Sequence, residues 1–168
     1  MAKGRWIMLT DKQILEPIRD FLMTYPYTTP VGEIEIDYGQ VEQTGSDASG
    51  EGNALRLTGR IKTREQKSVT GVVTETWRIN FALVMRRDTN DNNLRKEISE
   101  FILQFIEWVN ASNRKRGKED ANPKLPAFSD TEKETISADG GGQTAMLPSG
   151  RDEFQIALHL EYQKQYRA

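Results

Sequence analysis

A chain of 168 residues, 36% hydrophobic and 29% charged, is long enough for one domain whose folding buries roughly 70% of the unfolded surface, so its core needs no staples. It contains no cysteine, which excludes disulfides, thiolate metal sites and cysteine nucleophiles. A formal net charge of -2 sets up no overall field toward nucleic acid or membrane, and no apolar run approaches the ~18 residues of a membrane span.

The first eight residues carry two bases and no apolar stretch behind them, so they do not read as a signal peptide. Met8 is an alternative start, and residues 1–8 are then a flexible tail on a single 1–168 domain. Asp11 to Thr24 reads as a helix, because Ile14, Leu15, Ile18, Phe21 and Leu22 share one face and Thr10 or Asp11 can cap it. Pro17 falls inside this pattern and removes a backbone donor, so either a kink or a helix start near Glu16 is expected. Tyr25-Pro26-Tyr27 and Thr29-Pro30 end the helix.

Glu33 to Tyr38 alternates acid and apolar residues, as a charged edge strand does. Gly39 to Asn53 holds four glycines and the acids Glu42, Asp47 and Glu51 without a base, which predicts a mobile loop. Ala54 to Lys62 reads as a strand and Thr63 to Ser68 as a charged turn. Val69 to Arg87 reads as a long strand, with a bulge near Gly71, that folds back on its predecessor as an antiparallel hairpin. Within it Trp77, Ile79, Phe81, Leu83 and Met85 alternate with Arg78, Asn80, Ala82, Val84 and Arg86.

A helix follows from Asn92 to Asn113, with Leu94, Ile98, Phe101, Ile102, Phe105, Trp108 and Val109 on its apolar face. Asp91, Asn92 or Asn93 can cap it, and Asn113 with Gly117 supplies a stop. Arg114 to Ser129 is a basic, then proline-containing loop, and Lys133 to Ala138 a short strand. Gly140 to Gly150 reads as a second flexible loop before the last strand, where Phe154, Ile156, Leu158, Leu160 and Tyr162 alternate. The sum is an α+β fold: a mostly antiparallel or mixed β-sheet with two main helices packed on it.

The chemistry in the sequence is sparse. The single histidine, His159, lies on the polar side of the last strand and reads as a surface or interface residue. Gly140-Gly141-Gly142 is not followed by the lysine and hydroxyl of a phosphate loop and enters a strand, so a hinge or disordered loop is the better reading. Glu33/Glu35 and Asp152/Glu153 are pairs of carboxylates at strand edges or loop ends, where solvated faces are expected, whereas an acid catalyst needs burial. Arg114-Lys115-Arg116-Gly117-Lys118 can meet phosphates, but Glu119 and Asp120 dilute it and no aromatic lies within it. Bases after a helix C-terminus also offset its partial negative charge. These readings favour no enzyme, no metal and no cofactor.

Several segments together resemble the tail-terminator, or minor capsid, proteins of long-tailed phages and phage-tail-like bacteriocins. They are Ile14 to Leu22, Trp77 to Arg86, Phe101 to Asn110, Leu125-Pro126-Ala127-Phe128 and Phe154 to Tyr162. The resemblance carries no expectation for the acidic stretch from Gly39 to Asn53. What the resemblance implies is a small subunit of a hexameric ring that caps a finished tail tube and stops its polymerisation. The implied partners are further copies of itself, the tail tube protein and the head connector, with DNA only passing through the lumen and no membrane. The implied location is a virion or tail-like particle assembled in the bacterial cytoplasm.

Such a ring needs two different complementary patches on each subunit. Charge and loop position nominate Glu33, Glu35, Asp47, Glu51, Arg114, Lys115, Arg116, Lys118, Arg151 and His159 for these contacts. Two alternatives stand beside this reading. One is another neck, head–tail connector or tail-completion subunit; the other is a small nucleic-acid-binding module that uses the basic loop 114–118.

Overall fold

The computed structural model describes residues 9–26, 34–37, 52–88, 92–114, 134–146 and 151–168. Chain order is α1 (Asp11–Leu22), β1 (Ile34–Asp37), β2 (Gly52–Lys67), β3 (Val72–Asp88), α2 (Asn92–Arg114), β4 (Thr135–Met146) and β5 (Arg151–Arg167). The strands form one five-stranded sheet in the order β1-β2-β3-β5-β4. β1 runs parallel to β2, and every other neighbouring pair is antiparallel. The expected α+β class, with two helices on a largely antiparallel sheet, is what the chain adopts.

The alternating segments create the core because the register puts their apolar residues opposite one another. Ile79 faces Leu160, Phe81 faces Leu158, Leu83 faces Ile156 and Met85 faces Phe154 across β3 and β5. All eight are buried, and the helices close over the same face with Ile14, Leu15, Ile18, Phe21 and Leu22 from α1 and Ile98, Phe101, Ile102, Phe105 and Val109 from α2. Phe21 stacks on Trp108 with ring centroids 5.3 Å apart, joining the two helices.

Polar tethers orient the helices on the sheet. Thr10 and Gln13 form a reciprocal capping box, at 3.2 and 2.9 Å, that starts α1. Arg60 of β2 then holds the Leu9 carbonyl and the Asp11 carboxylate. The α2 helix is pinned near its start by Arg95 Nε to Asp152 Oδ2 at 3.0 Å, and near its end by Asn110 Oδ1, which accepts from the Ala138 amide at 3.0 Å. Asp152 is only 2% exposed, so the expectation of a solvated loop-end carboxylate is corrected: Arg95 compensates its burial.

Other expectations shift in position. The α1 helix starts at Asp11 and runs through Pro17, so a start near Glu16 is not adopted; the capping box fixes the origin upstream. Lys62 to Lys67 is strand rather than turn, and the turn lies at Ser68 to Gly71. There Ser68 accepts from the Gly71 amide, and Gly71 takes φ 81, a left-handed conformation open to glycine. Val69 therefore belongs to the turn and not to β3, and the irregularities of the ladder sit between Leu57 and Gly59 and between Lys62 and Arg64 of β2. Gly52 and Asn53 begin β2 instead of ending a loop, and Asn53 is buried against Arg87 at 2.6 Å.

The largest revision concerns the glycine run, which is strand. Gly140, Gly141 and Gly142 pair with Ala157, Ile156 and Gln155 inside β4. Gly141 has a packing reason: a Cβ there would lie 2.8 Å from Ile102 Cγ2, 3.0 Å from the Gln155 carbonyl and 3.1 Å from Ile156 Cγ1. The absent side chain lets α2 approach the sheet.

Candidate interaction surface

The helices occupy one face of the sheet. On the other, β3, β5 and β4 bring polar side chains together. His159 Nδ1 lies 2.7 Å from Asp139 Oδ1 and 3.0 Å from Arg78 Nη2, while Arg78 Nε donates to Asn80 Oδ1 at 3.0 Å. One ring nitrogen cannot both donate to a carboxylate and accept from a guanidinium. The shorter Asp139 distance assigns the proton to Nδ1, leaving Arg78 to Asn80 and to Asp139 Oδ2 at 3.8 Å. Beside them Arg86 pairs with Glu153 at 3.2 Å.

This cluster holds an imidazole and a carboxylate, so nucleophilic catalysis has to be weighed. Ser137 is the cross-strand partner of His159, yet among the described residues it makes no hydrogen bond to the ring. An activated serine needs that bond and nearby oxyanion donors. Among the described residues no group of three His, Asp or Glu side chains is placed to hold a metal ion, and no helix is long and apolar enough to cross a membrane.

The second feature is an arm. Past the last buried cross-strand pairs, β2, β3 and β5 continue to Lys67, Val72 and Arg167. Every residue of β2 from Ile61 to Lys67 is exposed. The arm has one buried polar centre, Glu75, which is 7% exposed. Its carboxylate accepts from Trp77 Nε1 at 2.9 Å and Tyr166 Oη at 3.1 Å and faces Lys62 Nζ at 3.5 Å. Lys62 also reaches Glu65 at 2.7 Å, so it lies between the two carboxylates that the register sets opposite one another. Three strands are thereby tied through one side chain.

Burial pushes the Glu75 carboxyl up, but the bonds from Trp77 and Tyr166 and the Lys62 charge outweigh it and hold the group below its ordinary value of 4.5. A depressed folded-state pKa contributes stability above pH 4.5 that is lost as pH falls through the folded value. Urea midpoints measured between about pH 3 and pH 7 are expected to fall less on the acid side in Glu75→Gln than in the wild type. Identical acid limbs would contradict this role for Glu75.

Of the residues nominated from sequence, Glu33, Asp47, Glu51, Lys115, Arg116 and Lys118 lie outside the described residues. Glu35, Arg114 and Arg151 are placed by backbone: Glu35 pairs with Ala54 at the β1 edge, Arg151 pairs with Asp88 where β5 begins, and Arg114 ends α2. His159 lies on the helix-free face as expected, with its side chain 17% exposed and paired to Asp139. These four are not brought into one cluster. Arg64, Lys67 and Arg167 were not nominated, because a strand without an inward apolar set gives no period to read. The length of Val72–Asp88 and Arg151–Arg167 is the signal that β2 had to match. Among known proteins, no family model and no curated sequence matches this chain.

Proposed function

We propose that this chain is a structural ring subunit that caps the end of a phage-type tail tube, stops its polymerisation and offers a surface to the head connector. On this reading it binds copies of itself, the tube protein and a neck protein, and catalyses nothing. It acts in a virion or tail-like particle assembled in the bacterial cytoplasm, and DNA only traverses the lumen.

The observation that carries the reading is the arm. Ordering each residue costs roughly 1–2 kcal/mol of backbone entropy. In the core, buried apolar area offsets that cost, but from Ile61 to Lys67 β2 buries no side chain. An ordered polar projection next to a compact helix-on-sheet body is economical where a second subunit covers it. A heterologous ring supplies such a contact at every subunit.

The test is to add the purified chain to elongating tail tubes. The expected result is arrest of elongation at ring-equivalent stoichiometry, with the chain found only at open tube ends. Binding to portal-side complexes with no effect on tube length would favour the head–tail connector alternative instead.

A further inference from the structure

We infer that the arm is the socket-seeking half of the subunit contact, and that its partner is the acidic segment 33–51 of a second copy of this chain. This rests on the ring reading above and names the residues that make its contact.

The charge of the arm is one-sided. Residues 60–77 and 163–168 carry six bases (Arg60, Lys62, Arg64, Lys67, Lys164 and Arg167) against Glu65 and Glu75. Arg60 and Lys62 are engaged within the subunit. Among the described residues Arg64, Lys67 and Arg167 are exposed and have no ion pair. At the tip, Val69 is fully exposed on a turn whose Ser68 and Thr70 hydroxyls lie 2.8 Å apart and whose Ser68 Oγ accepts from the Val72 amide at 3.1 Å. A rigid turn that presents one apolar side chain, flanked by unpaired cations, fits an acidic protein surface with an apolar spot.

The chain contains the complementary charge. From Asp20 to Leu55 there are seven acids and no lysine or arginine, and five of them are Glu33, Glu35, Asp37, Glu42 and Asp47, with Glu51 just before β2. The elements on either side of residues 38–51, β1 and the start of β2, lie at the far end of β2 from the arm, because Ile34–Asp37 pairs with Asn53–Arg56. At ~3.3 Å per residue the path from Asn53 to Lys67 is roughly 45 Å. A Debye length of about 8 Å screens attraction over that distance within one copy. A basic arm at one end of β2 and an acidic sequence joined to its other end satisfy each other head to tail between copies, which is the heterologous geometry of a closed ring.

The experiment uses charge exchange on the full chain. One variant combines Arg64→Glu, Lys67→Glu and Arg167→Glu; the other combines Glu42→Lys, Asp47→Lys and Glu51→Lys. Wild type is expected to assemble, alone or on tail tubes, and each variant to stay monomeric. An equimolar mixture should regain assembly, because reversed arm then meets reversed segment and native arm meets native segment. The cysteine-free background gives an independent readout: mixed Val69→Cys and Asp47→Cys chains should form a disulfide-linked heterodimer on mild oxidation with diamide. Assembly of the arm variant at wild-type concentrations, or absence of the mixed disulfide, overturns the inference while leaving the ring intact. Wild type that stays monomeric with and without tubes overturns the ring reading itself. Salt-sensitive binding of a DNA duplex that disappears in the arm variant, with self-assembly unchanged, assigns the arm to phosphates and also overturns the inference.

Discussion

Phe105→Ala is expected to lower unfolding stability by about 3–5 kcal/mol, read as a shift in urea midpoint at constant slope. Phe105 is 2% exposed and sits where α1, α2 and the sheet meet. Its ring lies 5.3 Å from that of Tyr25, 5.4 Å from Phe101 and 5.7 Å from Trp108. Truncation removes the transfer energy of the ring and leaves a cavity walled by other rings, which cannot collapse without moving a helix. Trp108→Ala is a useful comparison, since that side chain is only partly buried and should cost less. A loss under about 1 kcal/mol for Phe105→Ala would contradict the packing described here.

Gly141→Ala is expected to cost about 1–3 kcal/mol, and Gly141→Val more, although alanine is favoured over glycine on unfolded-state entropy. Two of the three atoms that a Cβ would meet can shift only by moving structure: the Gln155 carbonyl is sheet backbone, and Ile156 is fully buried. Ile102 is carried by α2, so the helix must lift, and its tethers to Asp152 and Ala138 resist that. Gly142→Ala is the control, because no atom lies within 4 Å of its Cβ position. Unfolding free energies of the two alanine variants should therefore differ by at least about 1 kcal/mol. Equal values would mean that α2 does not approach β4 at Gly141.

These two sites mark what sequence could and could not convey. Ile79 to Met85, Phe154 to Tyr162 and Ile98 to Val109 carry their period in residue type, because each presents an apolar set to one core. Gly141 reads as a hinge or disordered loop from sequence for the same reason that it suits the packing: a residue without a side chain leaves no periodic mark, and the helix it admits is distant in sequence. Lys62 to Lys67 extends a strand that buries none of its own side chains, so pairing with β3 and the Lys62 bridges to Glu65 and Glu75 sustain it. Asp152 is buried because Arg95 reaches it from α2, a pairing that local pattern cannot express. His159 was legible as a polar-face residue, but its partners Asp139 and Arg78 come from two other strands.

The functional surface follows the same division. The core pattern specifies a helix-on-sheet body, and the arm extends beyond that core. The proposed use of the arm in a ring is the claim on which the account stands. Negative-stain imaging of the purified chain, alone and mixed with tail tubes, tests it most directly. A six-fold annulus, free or seated on the tube end, is the result the ring account predicts. Monomers at every concentration, with tube ends left bare, would contradict it.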